Sequence, residues 1–347
     1  MTTISEFDYE LPQDRIAQTP LPDRSASKLL VDRGTASPEH RQVSNLDQIL
    51  QPGDLVVVNN TRVLAARLFT RRPTGGVTEV LLLEPDGPAP VALAAPASEW
   101  VGLVRPSKKV APGTELTIEG EEDLAITVGE DLGEGRRRLT IESSNLEEAL
   151  LRVGEMPLPP YITETLDDAD RYQTIYADQP GSAAAPTAGL HLTEALFERF
   201  AERKIETATV ELVVGLDTFR PVMVEDLDDH HMHSERYRVS TETAAKLASA
   251  ERVVAIGTTT VRALESWARL GDAGATNLFI RDPFEFQVVD AMLTNFHMPK
   301  STLLVMIDAF IGSRWRDLYT EALATDYRFL SFGDAMLLDR RASGGGV

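Results

Sequence analysis

The chain has 347 residues, of which 43% are hydrophobic, and a formal net charge of −20. This length is enough for two domains with substantial cores, and the acidity argues against general nucleic-acid binding because an acidic surface repels polyanions. The absence of cysteine excludes disulfides, thiolate metal sites and cysteine nucleophiles. No apolar run is long enough to span a bilayer and no signal peptide is evident, so we expect a cytoplasmic protein without a membrane partner. We also expect a monomer.

The first third of the chain changes from mixed structure to short β-like runs. Residues 43–50 predict a short helix and residues 54–58 a strand, with Pro52 and Gly53 marking the turn between them. From residue 62 to 141, runs such as VLAARLF, TEVLLLE and WVGLV alternate with the turn sequences PTGG, PDGP, APG and GEDLGEG. This spacing predicts a small all-β, barrel-like domain over residues 61–149.

The rest of the chain alternates predicted helices and strands. Helices are predicted at 193–204, 241–250, 259–270 and 302–311, with Thr193 as a cap, and strands or extended segments at 207–215, 252–257 and 284–293. Such alternation predicts a mainly parallel sheet covered by helices. We therefore expect an α/β fold, in which a larger α/β catalytic domain (1–60 and 150–347) carries the β-barrel domain as an insertion.

The segment RVVAIGTTTVRALESW offers the clearest candidate for a binding site. A buried strand ends at Gly257, and Thr258, Thr259 and Arg262 follow at the start of a helix. Helix N-termini attract anions, and ligands of α/β sheets bind at the carboxyl ends of strands. The alternative is an ordinary capped strand–helix turn.

The segment GSAAAPTAGLHLT combines small residues with a histidine. Thr187 and Gly189 would let a ligand approach the backbone closely, and His191 could exchange protons near neutral pH. The alternative is a loop packed under a helix, with His191 as its polar anchor.

Two further segments place histidines beside polar groups. In HHMHSERYRV, the spacing of His230, His231, His233 and Glu235 matches no standard zinc pattern, so we expect no metal site. His233 with Glu235 is instead a proton-handling pair, and the alternative is a structural hydrogen bond. In LTNFHMPKSTLL, Asn295, His297 and Ser301 form a polar loop between apolar segments, which is typical of a cleft. Ser301 is also a good cap for the following helix, so the alternative is a capping loop alone.

The segment VVVNNTRVLAARL places polar residues directly after a strand. Asn59, Asn60 and Arg62 supply two amides and a guanidinium, which can bind a base edge, a carboxylate or a phosphate.

Together these segments resemble one family, the S-adenosylmethionine:tRNA ribosyltransferase-isomerases of queuosine biosynthesis. The resemblance runs in order from FDYELPQDRIAQTPLPDRSASKLLV through GDLVVVNNTRVLAARL, GEMPLPPYI, YQTIYA, AAPTAGLHLT, MHSERYRV, AIGTTTVRALES and LTNFHMPKSTLL to YRFLSFGDAMLL. It covers nearly the whole chain. A departure occurs at Leu216 and Asp217, where the family usually has two small residues, so a charge at Asp217 would alter the cleft if it lies there.

The resemblance implies both a fold and a reaction. It implies an α/β domain joined to a β-barrel, and transfer with isomerisation of the ribosyl group of S-adenosylmethionine. The acceptor would be 7-aminomethyl-7-deazaguanine in the tRNA anticodon loop, and the products epoxyqueuosine-tRNA, adenine and methionine. S-adenosylmethionine would be a co-substrate, and no bound cofactor is expected.

We predict roles for the candidate residues on this basis. Proton transfers are assigned to three histidines and one carboxylate: His191, His233 with Glu235, and His297. Binding of the donor or the base is assigned to polar and small residues of the same segments: Asn59, Asn60, Arg62, Thr187, Gly189, Thr258, Thr259, Arg262, Asn295 and Ser301.

A tRNA substrate would have to contact a local basic cluster, since the chain as a whole is acidic. The candidates are three groups, each of which could instead be solvated surface charge: Arg71 with Arg72, Arg105 with Lys108 and Lys109, and Arg136 to Arg138. We expect steep salt sensitivity and an anticodon loop that opens to present its base. The alternatives are a small-molecule sugar isomerase or nucleosidase that does not act on RNA, and an RNA-binding barrel with an inactive α/β domain.

Overall fold

The computed structural model describes residues 2–34, 37–86, 97–133, 135–215 and 222–341. The chain divides into two compact units, the first comprising Met1–Thr61, Pro159–Asp178 and Pro186–Val347, and the second Arg62–Leu158 and Gln179–Ala185. Residues 150–158 and 179–185 therefore fall in the second unit. Compactness does not establish independent folding, so the predicted domain boundaries stay a prediction. Leu216 and Asp217 lie outside the described residues.

The described residues form these strands in chain order: β1 (Lys28–Asp32), β2 (Glu39–Gln42), β3 (Asp54–Asn59), β4 (Thr61–Val63), β5 (Arg67–Arg71), β6 (Val77–Pro85), β7 (Ala97–Arg105), β8 (Thr114–Ile118), β9 (Glu121–Gly133), β10 (Arg136–Glu142), β11 (Gln179–Ser182), β12 (Glu206–Leu212), β13 (Glu235–Val239), β14 (Arg252–Ile256), β15 (Ala273–Thr276), β16 (Ala291–Asn295) and β17 (Ala335–Asp339). The α-helices are α1 (Leu46–Ile49), α2 (Leu146–Val153), α3 (Glu194–Glu202), α4 (Thr241–Ser249), α5 (Thr258–Leu270), α6 (Thr302–Ile311) and α7 (Trp315–Ala324). Short 3-10 turns join several of them.

The first unit is built on one mixed sheet with the strand order β15-β13-β12-β3-β14-β16-β17-β1-β2. Its centre is parallel, because β3 pairs in parallel with β12 and β14, and β14 with β16. All six residues of β3 are buried, as expected for a parallel strand covered on both faces. The predicted fold class is confirmed.

Helix α3 illustrates how the core of the first unit forms. Thr193 caps the helix as predicted, since its side chain accepts a hydrogen bond from the Leu196 amide. Leu196 and Phe200 lie four residues apart and therefore share one helix face. Both are fully buried in the same cluster as Val56 and Ile256 of the sheet, so burial of apolar area stabilises this layer.

The second unit contains a closed antiparallel barrel with the strand order β10-β7-β6-β5-β8-β9. In β10, Arg137, Leu139 and Ile141 are buried while their neighbours are more exposed, which is the period-two alternation of a barrel wall. The barrel predicted from the short β-like runs is therefore present. Strands β4 and β11 form a separate two-stranded sheet.

The structure differs from the predicted elements at several places. Residues 284–290, predicted as extended, precede β16 as irregular backbone. Their amides are satisfied without a strand, because the buried carboxylate of Glu265 accepts hydrogen bonds from Gln287, Val288 and Val289. Helix α7 was not predicted. Over the described ranges, no helix has the length and apolar character needed to cross a membrane.

Candidate active site at one edge of the sheet

Polar segments of the first unit meet at the edge where its central parallel strands end. The register places Ile256 of β14 beside Val58 of β3 and beside Leu293 of β16. Strand β17 runs antiparallel to β16, so Ala335 at its start lies opposite Asn295 at the end of β16. The residues that follow β3, β14 and β16, and those that precede β17, therefore share one edge, which is the usual ligand-binding edge of an α/β sheet.

A buried hydrogen-bond network joins Thr187, His191 and Asn295 at this edge. The hydroxyl of Thr187 donates to Oδ1 of Asn295 over 2.9 Å. The amide nitrogen of Asn295 lies 3.2 Å from Nε2 of His191 and 3.4 Å from the carbonyl oxygen of Asp334. The structure thus brings Asn295 to Thr187 and His191, although Asn295 lies more than a hundred positions later in the sequence.

The imidazole of His191 is held in its neutral form. Burial lowers its pKa to about 4, against the opposing effect of a hydrogen bond to the backbone of Arg24. The positive charges of Arg328 and Arg24 lower the pKa further. Because Asn295 presents an N–H group to Nε2, this nitrogen is the acceptor and the ring proton lies on Nδ1. His191 at neutral pH is therefore an unprotonated base with a defined tautomer.

His297 is a second buried neutral histidine. Burial lowers its pKa to about 3, and its Nε2 lies 2.9 Å from the hydroxyl of Thr294. Two tyrosines fix the backbone at this residue: the amide of His297 donates to the Tyr319 hydroxyl, and its carbonyl accepts from the Tyr9 hydroxyl. The ring is thus held by an ordered loop and can accept a proton.

Asp334 belongs to this edge and was not predicted as a site residue. Its carboxylate accepts the amides of Lys28 and Arg328 at 2.9 and 2.8 Å, and its carbonyl faces Asn295. Burial raises its pKa, and these backbone hydrogen bonds oppose the rise. The available signal was its position just before a strand in SFGDAMLL. Ligands of α/β sheets are expected where strands end, so a residue at a strand start is not predicted as a site residue.

The turn after β14 carries the predicted threonines. Gly257 has φ of 89°, a value that suits glycine, and α5 begins at Thr258. The Thr260 hydroxyl donates to the Ile256 carbonyl over 2.6 Å. By contrast, the buried hydroxyl oxygen of Thr259 has no hydrogen-bond partner among the described residues.

Asn59 and Asn60 differ in how their side chains are used. Asn59 is fully buried, and its amide bonds both the carbonyl and the amide of Leu212. Its polar atoms therefore join β3 to β12, and they are already engaged. The Oδ1 atom of Asn60 is buried and lacks a partner within the part of the chain that the structure describes. Buried polar atoms are normally paired, so Asn60 and Thr259 are the better candidates for ligand contacts.

Arg262 and Glu235 form a buried ion pair. Both side chains are 8% exposed, and Arg262 also donates to the carbonyls of His233 and Thr276 at 3.0 Å. The other carboxylate oxygen of Glu235 accepts the Gly215 amide. Burial lowers the pKa of Arg262 and the Glu235 charge opposes this. The pair links α5 to the start of β13. The side chain of His233, by contrast, is exposed.

Three other predicted residues have structural contacts. A Cβ added to Gly189 would lie 1.9 Å from the Tyr176 hydroxyl, so that side chain occupies the space that we assigned to a ligand. Ser301 caps α6 by accepting the Leu304 amide, and its hydroxyl donates to Met298. Arg62 belongs to the second unit, where its guanidinium lies 3.8 Å from Glu147.

Known proteins similar to this chain share its full length. The family model described as queuosine biosynthesis protein matches residues 4–338. A protein of Anaeromyxobacter sp. (strain Fw109-5), named S-adenosylmethionine:tRNA ribosyltransferase-isomerase, is 47% identical over 97% of this chain and 99% of its own length. This chain belongs to the queuosine biosynthesis protein family. The resemblance drawn from the sequence is confirmed.

Other members of the queuosine biosynthesis family agree with this assignment. A relative of the same name from Thermotoga maritima is 46% identical over 96% of this chain and 99% of its own length. The crystal structure of S-adenosylmethionine tRNA ribosyltransferase from Thermotoga maritima has a TM-score of 0.54 and 37% identity, and covers 96% of this chain and 99% of that one. The relatives are enzymes by name, and the prediction that this chain is an enzyme of their kind is confirmed.

The described part of this family member has no group of three or more His, Asp or Glu side chains placed to hold a metal ion. What the edge offers is general acid–base chemistry from neutral histidines, together with unpartnered polar oxygens for binding. A reaction that such groups can catalyse is proton abstraction from an acidified carbon, followed by proton return to a leaving group.

Proposed function

We propose that this chain transfers and isomerises the ribosyl group of S-adenosylmethionine onto 7-aminomethyl-7-deazaguanine in tRNA. The products would be epoxyqueuosine-tRNA, adenine and methionine. The names of the relatives support the ribosyl transfer from S-adenosylmethionine to tRNA and the isomerisation. The acceptor base and the products follow from the family resemblance of the sequence. The single observation that carries the chemistry is the neutral His191, buried at the carboxyl edge with Nε2 as acceptor.

The sulfonium of the donor sets the chemical requirements. It acidifies the ribose C5′ hydrogens and makes methionine a good leaving group, which departs with the electron pair of the C–S bond. The enzyme must therefore supply a base near C5′ and a proton for the departing adenine. A neutral imidazole that accepts the C5′ proton becomes an imidazolium, which can then protonate adenine.

We assign the first of these transfers to His191. The amide of Asn295 defines its tautomer, and the 3.2 Å distance between them is at the long end of the hydrogen-bond range. An atom of S-adenosylmethionine can therefore replace the Asn295 amide at Nε2 with little loss of free energy. His297 is the second base in the proposal, because it too is neutral and held in one orientation by Thr294.

We assign donor binding chiefly to Asn60 and Thr259. Their buried oxygens have no partner among the described residues, and each follows the carboxyl end of one of two paired strands, β3 and β14. Asn60 Oδ1 can accept a hydrogen bond from a ribose hydroxyl or an ammonium, and the Thr259 hydroxyl can donate to a carboxylate. Arg262 acts in this proposal as a positioning residue for the Thr258–Thr260 turn, while Thr187 orients Asn295.

The deciding experiment measures adenine, methionine and modified nucleoside in three reactions. One contains enzyme, S-adenosylmethionine and tRNA bearing 7-aminomethyl-7-deazaguanine, one omits the tRNA, and one replaces it with tRNA bearing guanine. We expect adenine only in the first, in step with epoxyqueuosine. Equal adenine release without tRNA would replace our proposal with a nucleosidase acting on the free donor.

A further inference from the structure

The barrel unit carries a cluster of positive charges that has no acidic partner among the described residues. Strand β7 ends at Arg105, and the turn formed by residues 105–109 follows, with Lys108 and Lys109 in a short 3-10 turn. We call residues 105–109 the basic turn. Its three cationic side chains are exposed, and none forms an ion pair with any residue in the described ranges. In a chain of net charge −20, this is unusual enough to require an explanation.

Two arginines outside the basic turn increase its charge. Arg72 reaches across from the hairpin after β5, and its guanidinium donates to the Lys109 carbonyl over 3.2 Å. Arg137 lies beneath, 2% exposed, and donates to the carbonyls of Ser107, Val110 and Gly129. Both arginines are bound through carbonyl oxygens, so their charges are not neutralised by carboxylates.

One arginine in each of the other two basic clusters of the barrel does have an acidic partner. Arg71 lies 3.3 Å from the carboxylate of Glu119, and Arg138 pairs with Asp86 and Glu130. The charges of Arg71 and Arg138 are therefore locally compensated by carboxylates.

The acidic residue that pairs in register with Arg105 is already engaged. Glu79 of β6 is in register with Arg105, but its carboxylate binds Arg67 at 2.9 Å. Glu79 is therefore not available to neutralise the basic turn.

We propose that the basic turn is a docking surface for the phosphate backbone of tRNA. The inference rests on the proposed function and adds to it the surface that the substrate contacts outside the catalytic edge. An acidic protein gains affinity for a polyanion only where local cations displace condensed counterions, and the basic turn supplies three exposed ammonium or guanidinium groups with two more charges behind them. Such contacts position an RNA and do not read its sequence.

The test compares two double variants that remove the same formal charge from the same barrel. Lys108→Gln/Lys109→Gln alters the basic turn, and Arg71→Gln/Arg138→Gln alters cations that have acidic partners. Full-length enzyme is titrated with tRNA bearing 7-aminomethyl-7-deazaguanine at several salt concentrations, and KM and kcat are measured for both substrates. Thermal unfolding verifies that each variant is folded.

We expect the basic-turn variant to bind tRNA roughly tenfold more weakly, with a salt-dependence slope smaller by about 1.5. Its KM for tRNA should rise, while kcat at saturating tRNA and KM for S-adenosylmethionine stay at the wild-type values. The matched variant should change affinity less than twofold. Equal behaviour of the two variants, or a loss confined to kcat, would overturn the docking surface.

The wild-type reactions separate the two proposals. Wild-type enzyme that releases adenine with modified tRNA, alongside a basic-turn variant of unchanged KM, refutes the docking surface and leaves the proposed function standing. Wild-type enzyme that neither binds nor modifies tRNA refutes both.

Discussion

The side-chain amide of Asn295 lies 3.2 Å from Nε2 of His191, and its oxygen accepts the Thr187 hydroxyl. Because Oδ1 is engaged by a donor, the group that faces the imidazole is the amide nitrogen. One asparagine at the end of β16 therefore determines which imidazole nitrogen is free of a proton. This relationship is the physical basis for treating His191 as the base.

Replacing His191 should abolish chemistry while leaving the donor bound. We expect His191→Ala to lower adenine release with modified tRNA by about 10²–10⁴-fold, the usual contribution of a general base. The exposed His231 provides the control, and His231→Ala should retain activity. The assay is single-turnover adenine release, with donor affinity measured separately. Full activity of His191→Ala would remove this residue from the mechanism.

Both buried histidines should make the protein less stable in acid. The pKa of His191 is lowered from 6.5 to about 4 and that of His297 to about 3. Between pH 6.5 and these values the unfolded chain binds more protons than the folded one, so stability is complete above pH 6.5 and falls as the pH decreases below it. For His191 the loss is at most about 3 kcal/mol.

Urea unfolding at pH 7.5, 6 and 5 measures this loss. We expect the midpoint to fall with pH in the wild type, and to fall less steeply in His191→Gln, which has no titrating ring. Parallel curves for the two proteins would contradict a buried neutral His191.

The sequence was sufficient to predict which segments meet, and insufficient to predict which atoms are free. Strand periodicity predicted that Thr259 and Asn295 follow strands of one sheet, and parallel strands share a carboxyl edge. His191 follows no predicted strand, and only the structure places it beside Asn295. Asn59 shows the limit: its amide is consumed by Leu212, about 150 positions away. A sequence shows donors and acceptors, whereas their partners come from tertiary packing.

Asp334 lies at the candidate site but was not predicted from the sequence. It precedes β17, which runs antiparallel to β16, so its position at the same edge depends on strand direction. The predicted sheet was mainly parallel, and in a parallel sheet a strand start lies at the far edge. Strand β17 itself was not predicted, and its antiparallel direction brings to this edge a residue that bonds Lys28, Arg328 and Asn295.

The Arg262–Glu235 pair should contribute to stability and only indirectly to donor binding. Removing one partner of a buried ion pair leaves an uncompensated charge and costs about 3–5 kcal/mol. We therefore expect Arg262→Met to lower the free energy of unfolding by that amount, and the double variant Arg262→Met/Glu235→Met to recover much of it. Denaturant unfolding of the wild type, Arg262→Met, Glu235→Met and the double variant gives the interaction free energy of the pair. A variant of normal stability with a greatly raised KM for S-adenosylmethionine would instead show direct binding by Arg262.

Gly189 should be required for packing against Tyr176. A Cβ at this position would lie 1.9 Å from the tyrosine hydroxyl, so Gly189→Ala should destabilise the protein by about 1–3 kcal/mol. Removing that hydroxyl in Gly189→Ala/Tyr176→Phe should restore part of the loss. Gly274→Ala is the control, since its added Cβ meets only Tyr237, at an ordinary 3.8 Å. Thermal unfolding measures all three, and no recovery in the double variant would refute the packing role.

Thr259 and Thr260 are neighbours with opposite expected roles. The Thr259 hydroxyl is buried without a partner among the described residues, whereas that of Thr260 donates to Ile256. Replacing an unpaired buried hydroxyl by a methyl group removes a desolvation cost. Thr259→Val should therefore leave stability unchanged or slightly raised, and should raise KM for S-adenosylmethionine about tenfold through loss of a donor contact. Thr260→Val should do the reverse, with a loss of about 1 kcal/mol of stability and a normal KM. If both variants lose stability and neither changes KM, the Thr258–Thr260 turn is an ordinary helix start and the donor binds elsewhere.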